Sequence, residues 1–368
     1  MTLLSELLTA FQKSGSSDLH LTEGSFPHIR KHGRLTVLPG ATIISSADIE
    51  DLTKELVGMN KYEKFLRENE LDVGADYGID RIRINLYRQK GKIAWALRLL
   101  PSRLFPLEQL GIPLPVLQTI CSMQKGLVLI SGATGSGKST TLASLIHEIN
   151  ATRHCHIFTI EDPIEFIHEN IKSFVSQREI GTDTSSYEEA LRRVLREDPD
   201  VVVIGEMRDQ STMRAALTLA ETGHLTFGTL HTSDAVQTIT RIIGSFPPNE
   251  QEQIRVQLAS VLNLVICQQL VPWSNGLGRS LAAELLVATS AVKAMIRENK
   301  IHQIPSSIQT GQQYGMRTMN FALAELLNRN LIDANTAELW SPDREGMKRI
   351  IAAGPFDSLR QHGVFEIE

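Results

Sequence analysis

The residues best suited to do chemistry are Gly132-Ala133-Thr134-Gly135-Ser136-Gly137-Lys138-Ser139, followed by Thr140, a G-x-x-x-x-G-K-[ST] run. Glycines at 132, 135 and 137 let the backbone curl so that successive N–H groups face inward at phosphate oxygens. The apolar residues 127–130 precede the run, and Leu142, Leu145, Ile146 and Ile149 follow it at spacings of three and four. A buried strand, a loop and a helix N-terminus are therefore expected in that order, which is the arrangement that cradles a nucleotide phosphate. In it Lys138 neutralises the β and γ phosphates and the Ser139 hydroxyl sits on Mg²⁺, so ATP and Mg²⁺ are the expected ligands of residues 132–140.

Acids and histidines at strand ends extend the set. Residues 200–206, DVVVIGE, read as a buried strand ending in Glu206, suited to polarising an attacking water. Gly205 stands where many P-loop enzymes carry an aspartate, so Mg²⁺ is expected to be held only indirectly from this strand. In TIEDPIE, residues 159–165, three carboxylates fall within five positions behind another strand, with Pro163 to end it. Glu165 is the first choice there for the metal or water shell. In TGHLTFGTLHT, residues 222–232, a histidine stands at each end of a strand. His231 at the C-terminal end is placed to report the γ phosphate, and His224 reads as structural or at a subunit contact.

The elements that must position these groups follow from pattern and composition. The chain has 368 residues, enough for two or three domains, and 42% apolar with 21% charged residues suits a folded globular protein. A formal net charge of −5 excludes a general polycation for nucleic acid or acidic membrane. Three isolated cysteines, Cys121, Cys155 and Cys267, exclude a C-x-x-C zinc module and a disulfide scaffold and fit a reducing cytoplasm. The start reads as a short amphipathic helix with no secretory signal, and the uncharged run 257–278 is broken by Asn, Gln, Ser and Pro, so no direct membrane insertion is expected. Residues 1–100 combine a first helix, a second near Ser46–Val57 and alternating strands at 80–87 and 92–100, the pattern of a small α+β domain. A linker is expected at 101–115, which holds Pro101, Pro106, Pro113 and Pro115. From 116 to 290, β-branched runs alternate with helical segments, an α/β core with a mostly parallel sheet. A helical subdomain follows over 291–368, whose tail from 355 carries no readable pattern.

Taken together, GATGSGKST at 132–140, TIEDPIEF at 159–166, DPDVVVIGEMRD at 198–209 and TGHLTFGTLHT at 222–232 resemble the Walker A, Asp, Walker B and His boxes of the secretion ATPase superfamily. Within it the chain most resembles the PilT-like twitching-motility ATPases that power type IV pilus retraction. The likeness runs from Ser17-Asp-Leu-His-Leu21 to about residue 335. The segment 291–298, AVKAMIRE, also resembles the AIRNLIRE segment associated with retraction, from which Lys293 and Ala294 depart. The resemblance implies a ring homohexamer, a PAS-like N-terminal domain, a RecA-like core with C-terminal helices, and ATP between the two domains. It implies phosphate-bridging arginines from the N-terminal domain, for which Arg83 and Arg98 are the first choices and Arg81 a third. It also implies a cytoplasmic protein tethered to the inner membrane face by a polytopic pilus platform protein. The alternatives are a pilus-assembly or type II secretion motor and, further off, a nucleic-acid translocase; many assembly motors carry a four-cysteine module and a longer N-terminal region that this chain lacks.

Overall fold

Strands form here by two different patterns, alternation in the first part of the chain and, for much of the second, short runs buried on both faces. A computed structural model describes residues 2–31, 34–77, 80–100 and 104–354. By contact it divides into Met1–Arg103 with Pro163–Ile167, and Leu104–Asp162 with His168–Glu368. Residues 101–103 of the expected linker and the tail 355–368 lie outside the described residues.

The N-terminal unit holds β1 (Asp18–Thr22), β2 (His28–Lys31), β3 (Arg34–Val37), β4 (Glu70–Tyr77), β5 (Asp80–Gln89) and β6 (Lys92–Leu100), in the antiparallel order β3-β2-β1-β6-β5-β4. On β5, Ile82, Ile84 and Leu86 are buried while Arg81, Arg83 and Asn85 alternate onto the other face. The apolar face shares a core with Leu4, Leu7, Leu8 and Phe11 of the helix Leu3–Ser14 and with Ile49 and Leu52 of the helix Ser46–Val57. That second helix begins with a capping box between Ser45 and Asp48, which satisfies otherwise orphaned N–H groups. Trp95 is fully buried on β6, and its indole N–H donates to Thr53 Oγ1 at 3.0 Å.

The larger unit is built on β7 (Gly126–Ser131), β8 (His156–Glu161), β9 (Phe174–Glu179), β10 (Val201–Ile204), β11 (Leu225–Leu230), β12 (Leu262–Pro272) and β13 (Arg279–Val287). Their order is β13-β12-β7-β11-β10-β8-β9, parallel throughout except that β13 returns antiparallel along β12. Every residue of β7, β10 and β11 is buried, as a sheet covered on both faces requires. Leu142, Leu145, Ile146 and Ile149 of the helix Lys138–Thr152 pack into the same core. The four runs expected as parallel strands are β7, β8, β10 and β11, adjacent to one another. β9, β12 and β13 were not anticipated: β9 is a partly exposed edge strand without alternation, and β12 lies in the uncharged stretch examined only as a membrane span. No helix of the described residues is long and apolar enough to cross a membrane.

Apolar residues of the segment 101–115 pack into the larger unit, and the last helices gather a cluster of their own. Leu107, Leu110 and Ile112 are buried in the core of the larger unit, so most of the described part of 101–115 belongs to that unit instead of joining two. Apolar side chains between the prolines anchor the segment although its backbone is mostly irregular. Beyond β13 the helices Met319–Asn328, Ala334–Trp340 and Arg344–Ala353 close a separate apolar cluster around Leu323, Ile332 and Met347, which also takes Val271 and Ala282 from the sheet's hairpin.

Candidate active site

The chain leaves β7 at Ser131 and enters a loop whose glycines at 132, 135 and 137 have φ of +147°, +76° and +92°. Gly132 is the strictest of them, because a side chain there would run into the Gln268 carbonyl and the Ser136 hydroxyl. Gly137 is the N-cap of the helix Lys138–Thr152 and supplies no side-chain cap, which leaves the first-turn N–H groups for an anion. Ser136 is buried and its Oγ has no hydrogen-bond partner among the described residues. Lys138 is buried as well, its Nζ donating to the carbonyls of Gly132 at 2.7 Å and Ala133 at 3.1 Å. An orphaned hydroxyl, a curled-in ammonium and a loop closed to side chains are the groups that a phosphate would engage, so the residues present fit a nucleotide. Ala133, Thr134 and Gly135 form the exposed outer turn, and Ser139 and Thr140 are half-buried at the helix start.

Glu206 follows the end of β10, two strands from β7 in the sheet order. Its neighbours on both sides are pinned to Thr229 of β11: the Thr229 hydroxyl donates to the Gly205 carbonyl, and the Met207 N–H donates to the Thr229 carbonyl at 2.9 Å. Both carboxylate oxygens are engaged. Oε2 lies 2.7 Å from Arg208 Nη2, and Oε1 lies 3.3 Å from His231 Nε2. Burial pushes the Glu206 carboxyl up, but the bond and charge of Arg208, with His231 and Lys138, outweigh this and hold it below the ordinary carboxylate range. His231 is held below the usual imidazole range by burial and by Lys138, against the pull of Glu206. Thr232, the next residue, is locked to the end of β7, its N–H donating to Ser131 Oγ at 2.9 Å. The strand end that leads into the phosphate loop thus also fixes the histidine.

Tyr187 accounts for the missing aspartate. A Cβ built on Gly205 would lie 3.0 Å from the Ile160 carbonyl, 3.1 Å from the Tyr187 hydroxyl and 3.2 Å from Glu161 Cα. The tyrosine therefore fills the room an acidic side chain would need. Burial, then the charges of Asp162, Glu161 and Glu206, push its hydroxyl well above the ordinary phenol range, so it remains a neutral donor. Because two of the three close atoms belong to neighbouring backbone, Gly205→Ala is expected to destabilise the protein by about 1–3 kcal/mol, read as a lowered denaturant midpoint at unchanged slope.

The other expected residues have the following partners within their own units. Glu165 lies in Pro163–Ile167, which groups with the N-terminal unit. The proline that ends the acidic run also carries the chain out of the larger unit. Glu161 Oε1 accepts from the Thr159 hydroxyl at 2.7 Å and from Gln177 Nε2 at 3.2 Å, a structural use. His224 bonds the Leu219 carbonyl and the Thr222 hydroxyl, each at 3.0 Å. In the N-terminal sheet Arg83 and Arg98 are directly opposed across β5 and β6. Arg98 Nε is 2.7 Å from Asp18 and Arg83 Nε is 3.7 Å from Asp72, while Arg81 Nε donates to the Ile164 carbonyl at 2.5 Å. Sequence reasoning gave no role to Arg208, Tyr187, Thr229 or Ser131. Only Arg208, two residues from Glu206, carried a local signal.

Comparison with known proteins agrees with this geometry. The chain is 41% identical over 338 residues to the type IV pilus retraction ATPase PilT of Pseudomonas aeruginosa, covering 91% of this chain and 96% of that protein. It is 43% identical over 326 residues to a twitching motility protein of Neisseria gonorrhoeae, covering 87% and 86%. A crystal structure of the pilus retraction motor PilT with bound ADP is similar with a TM-score of 0.87 at 42% identity, covering 95% of this chain and 99% of that one. A family described as type II/IV secretion system protein matches residues 89–313. With the phosphate loop, the strand-end glutamate and its histidine in place, and with these likenesses across nearly the whole chain, the chain belongs to the type II/IV secretion system protein family, in its PilT-like branch.

Proposed function

We propose that the chain is a Mg²⁺-dependent ATPase that works as a homohexamer and drives type IV pilus retraction, and with it twitching motility. The observation that carries the ATPase reading is Glu206, set on the strand end beside the phosphate loop and within electrostatic reach of Lys138. The direction rests on the likeness to proteins named for pilus retraction and twitching motility. The loop N–H groups of residues 132–140 bind the phosphates, Lys138 neutralises them, and the Ser139 hydroxyl is the ligand offered to Mg²⁺. Mg²⁺, when bound, supplies positive charge to the phosphate oxygens as bond breaking proceeds. Glu206 orients the attacking water and accepts its proton, and His231 holds the other carboxylate oxygen in place. Arg83 and Arg98 are kept as the candidate cations for charge developing on the γ phosphate, and Glu165 as a candidate for the metal shell. The protein is assigned to the cytoplasm, at the inner face of the cytoplasmic membrane, held there by a pilus platform protein.

The test is to replace Glu206 by Gln at the native locus and count surface pili. An excess of pili with lost twitching is the expected result. Bald cells would reverse the direction to pilus assembly and leave the ATPase reading intact.

A further inference from the structure

Arg208 is the strongest partner that Glu206 has, and the hydrolysis mechanism does not use it. Its Nη2 sits 2.7 Å from Glu206 Oε2, while 62% of its side chain remains exposed against 22% for Glu206. The guanidinium is thus anchored at its tip and free along its stem, able to leave without disturbing the core. Asp162, next after the end of the neighbouring strand β8, also acts on Arg208 electrostatically. The groups that face Glu206 are Arg208 from its own loop, His231 beyond β11, Lys138 from the phosphate loop and Tyr187 from the helix Tyr187–Val194. Of these, His231 is more distant, and Lys138 is bound to the loop carbonyls. Arg208 alone both neutralises the carboxylate and occupies one of its oxygens at full hydrogen-bond strength.

A water positioned for attack must donate an O–H to Glu206, and in this arrangement Arg208 and His231 already engage one carboxylate oxygen each, leaving the water to compete for the carboxylate's orientation and charge. We propose that Arg208 is a positioning residue that restrains Glu206 through their ion pair, keeping unstimulated hydrolysis low until its guanidinium moves off the carboxylate. The inference rests on the reading of Glu206 as the water-orienting base. It adds a restraint that is local to one strand end.

The experiment compares full-length wild type, Arg208→Gln and Arg208→Lys, with bound fluorescent ADP and thermal melting as checks of folding. With the restraint removed, Arg208→Gln should raise turnover at saturating ATP about fivefold, the size expected of one exposed ion pair. It should also move the acid limb of the pH–rate profile to higher pH, since Glu206 loses the cation that keeps it ionised. A third readout needs no nucleotide: the NMR titration midpoint of His231, assigned with His231→Gln, should rise when Arg208 becomes Gln, because a nearby positive charge is gone and the carboxylate turns to the imidazole. Arg208→Lys, which keeps the charge, should stay near wild type in all three. Turnover that falls at every pH would overturn the restraint and make Arg208 a direct phosphate contact, and unchanged turnover with an unmoved His231 midpoint would make the pair a bystander. If Glu206→Gln itself hydrolyses ATP normally, the fault lies with the Glu206 reading. If that variant is inactive and Arg208→Gln is no faster than wild type, only the restraint fails.

Discussion

Glu206→Gln is expected to lower kcat by about 100-fold to 1000-fold, the range for losing a positioned base, with nucleotide affinity changed by no more than about threefold. The substitution keeps shape and removes charge. Gly205 and Met207 remain tied to Thr229, so the backbone that presents the side chain does not move. What is lost is a carboxylate able to take a proton from water. The pH dependence gives a second signature. Because Arg208, His231 and Lys138 together hold Glu206 below the ordinary carboxylate range despite its burial, wild-type turnover should persist to more acidic pH than an unperturbed glutamate would allow. It should fall only as pH drops through that lowered value, and Glu206→Gln should show no such limb. Single-turnover phosphate release in the full-length protein measures both, and near-normal turnover in the variant would remove Glu206 from the mechanism.

Lys138→Ala is expected to act on binding. The ammonium is buried in the phosphate loop and already oriented by the carbonyls of Gly132 and Ala133, so little reorganisation is needed for it to meet a phosphate. Losing charge-assisted hydrogen bonds to two phosphates should weaken ADP and ATP by about 100-fold, roughly 3 kcal/mol. The fold should survive, because neither carbonyl is part of a strand ladder. Titration with a fluorescent nucleotide reads the affinity, and the rise in melting temperature that ADP gives wild type should vanish at the same ADP concentration. Tight ADP binding by a folded Lys138→Ala protein would mean that the loop binds something other than the nucleotide phosphates.

The phosphate loop was legible because its demands are local: glycines at 132, 135 and 137 in left-handed backbone, and a lysine and serine at the start of a helix, hold whatever the rest of the chain does. The short runs of β7, β8, β10 and β11, rich in β-branched and apolar residues, were legible for a similar reason, since a sheet covered on both faces calls for them. The helix Ser46–Val57 and the strands β5 and β6 were visible through their own periodicity. β9, β12 and β13 were not, because an edge strand and a two-stranded return take their form from the strands they pair with. The Ala-Ala-Glu-Leu-Leu of β13 has helix-favouring residues that pairing with β12 overrides.

The site divides the same way. Residue type and position at a strand end were enough to nominate Glu206 and His231, because parallel strands deliver their C-terminal ends to one edge of the sheet. Two things depended on distance in space: that Arg208 pairs with Glu206, and that Tyr187 lies where a side chain on Gly205 would project. The sequence by itself determined the phosphate chemistry and the parallel core, since both follow from backbone geometry within a few residues. Only the tertiary structure decided which charges meet at Glu206, since ion pairs form between side chains that the fold, and not the spacing, brings within 4 Å.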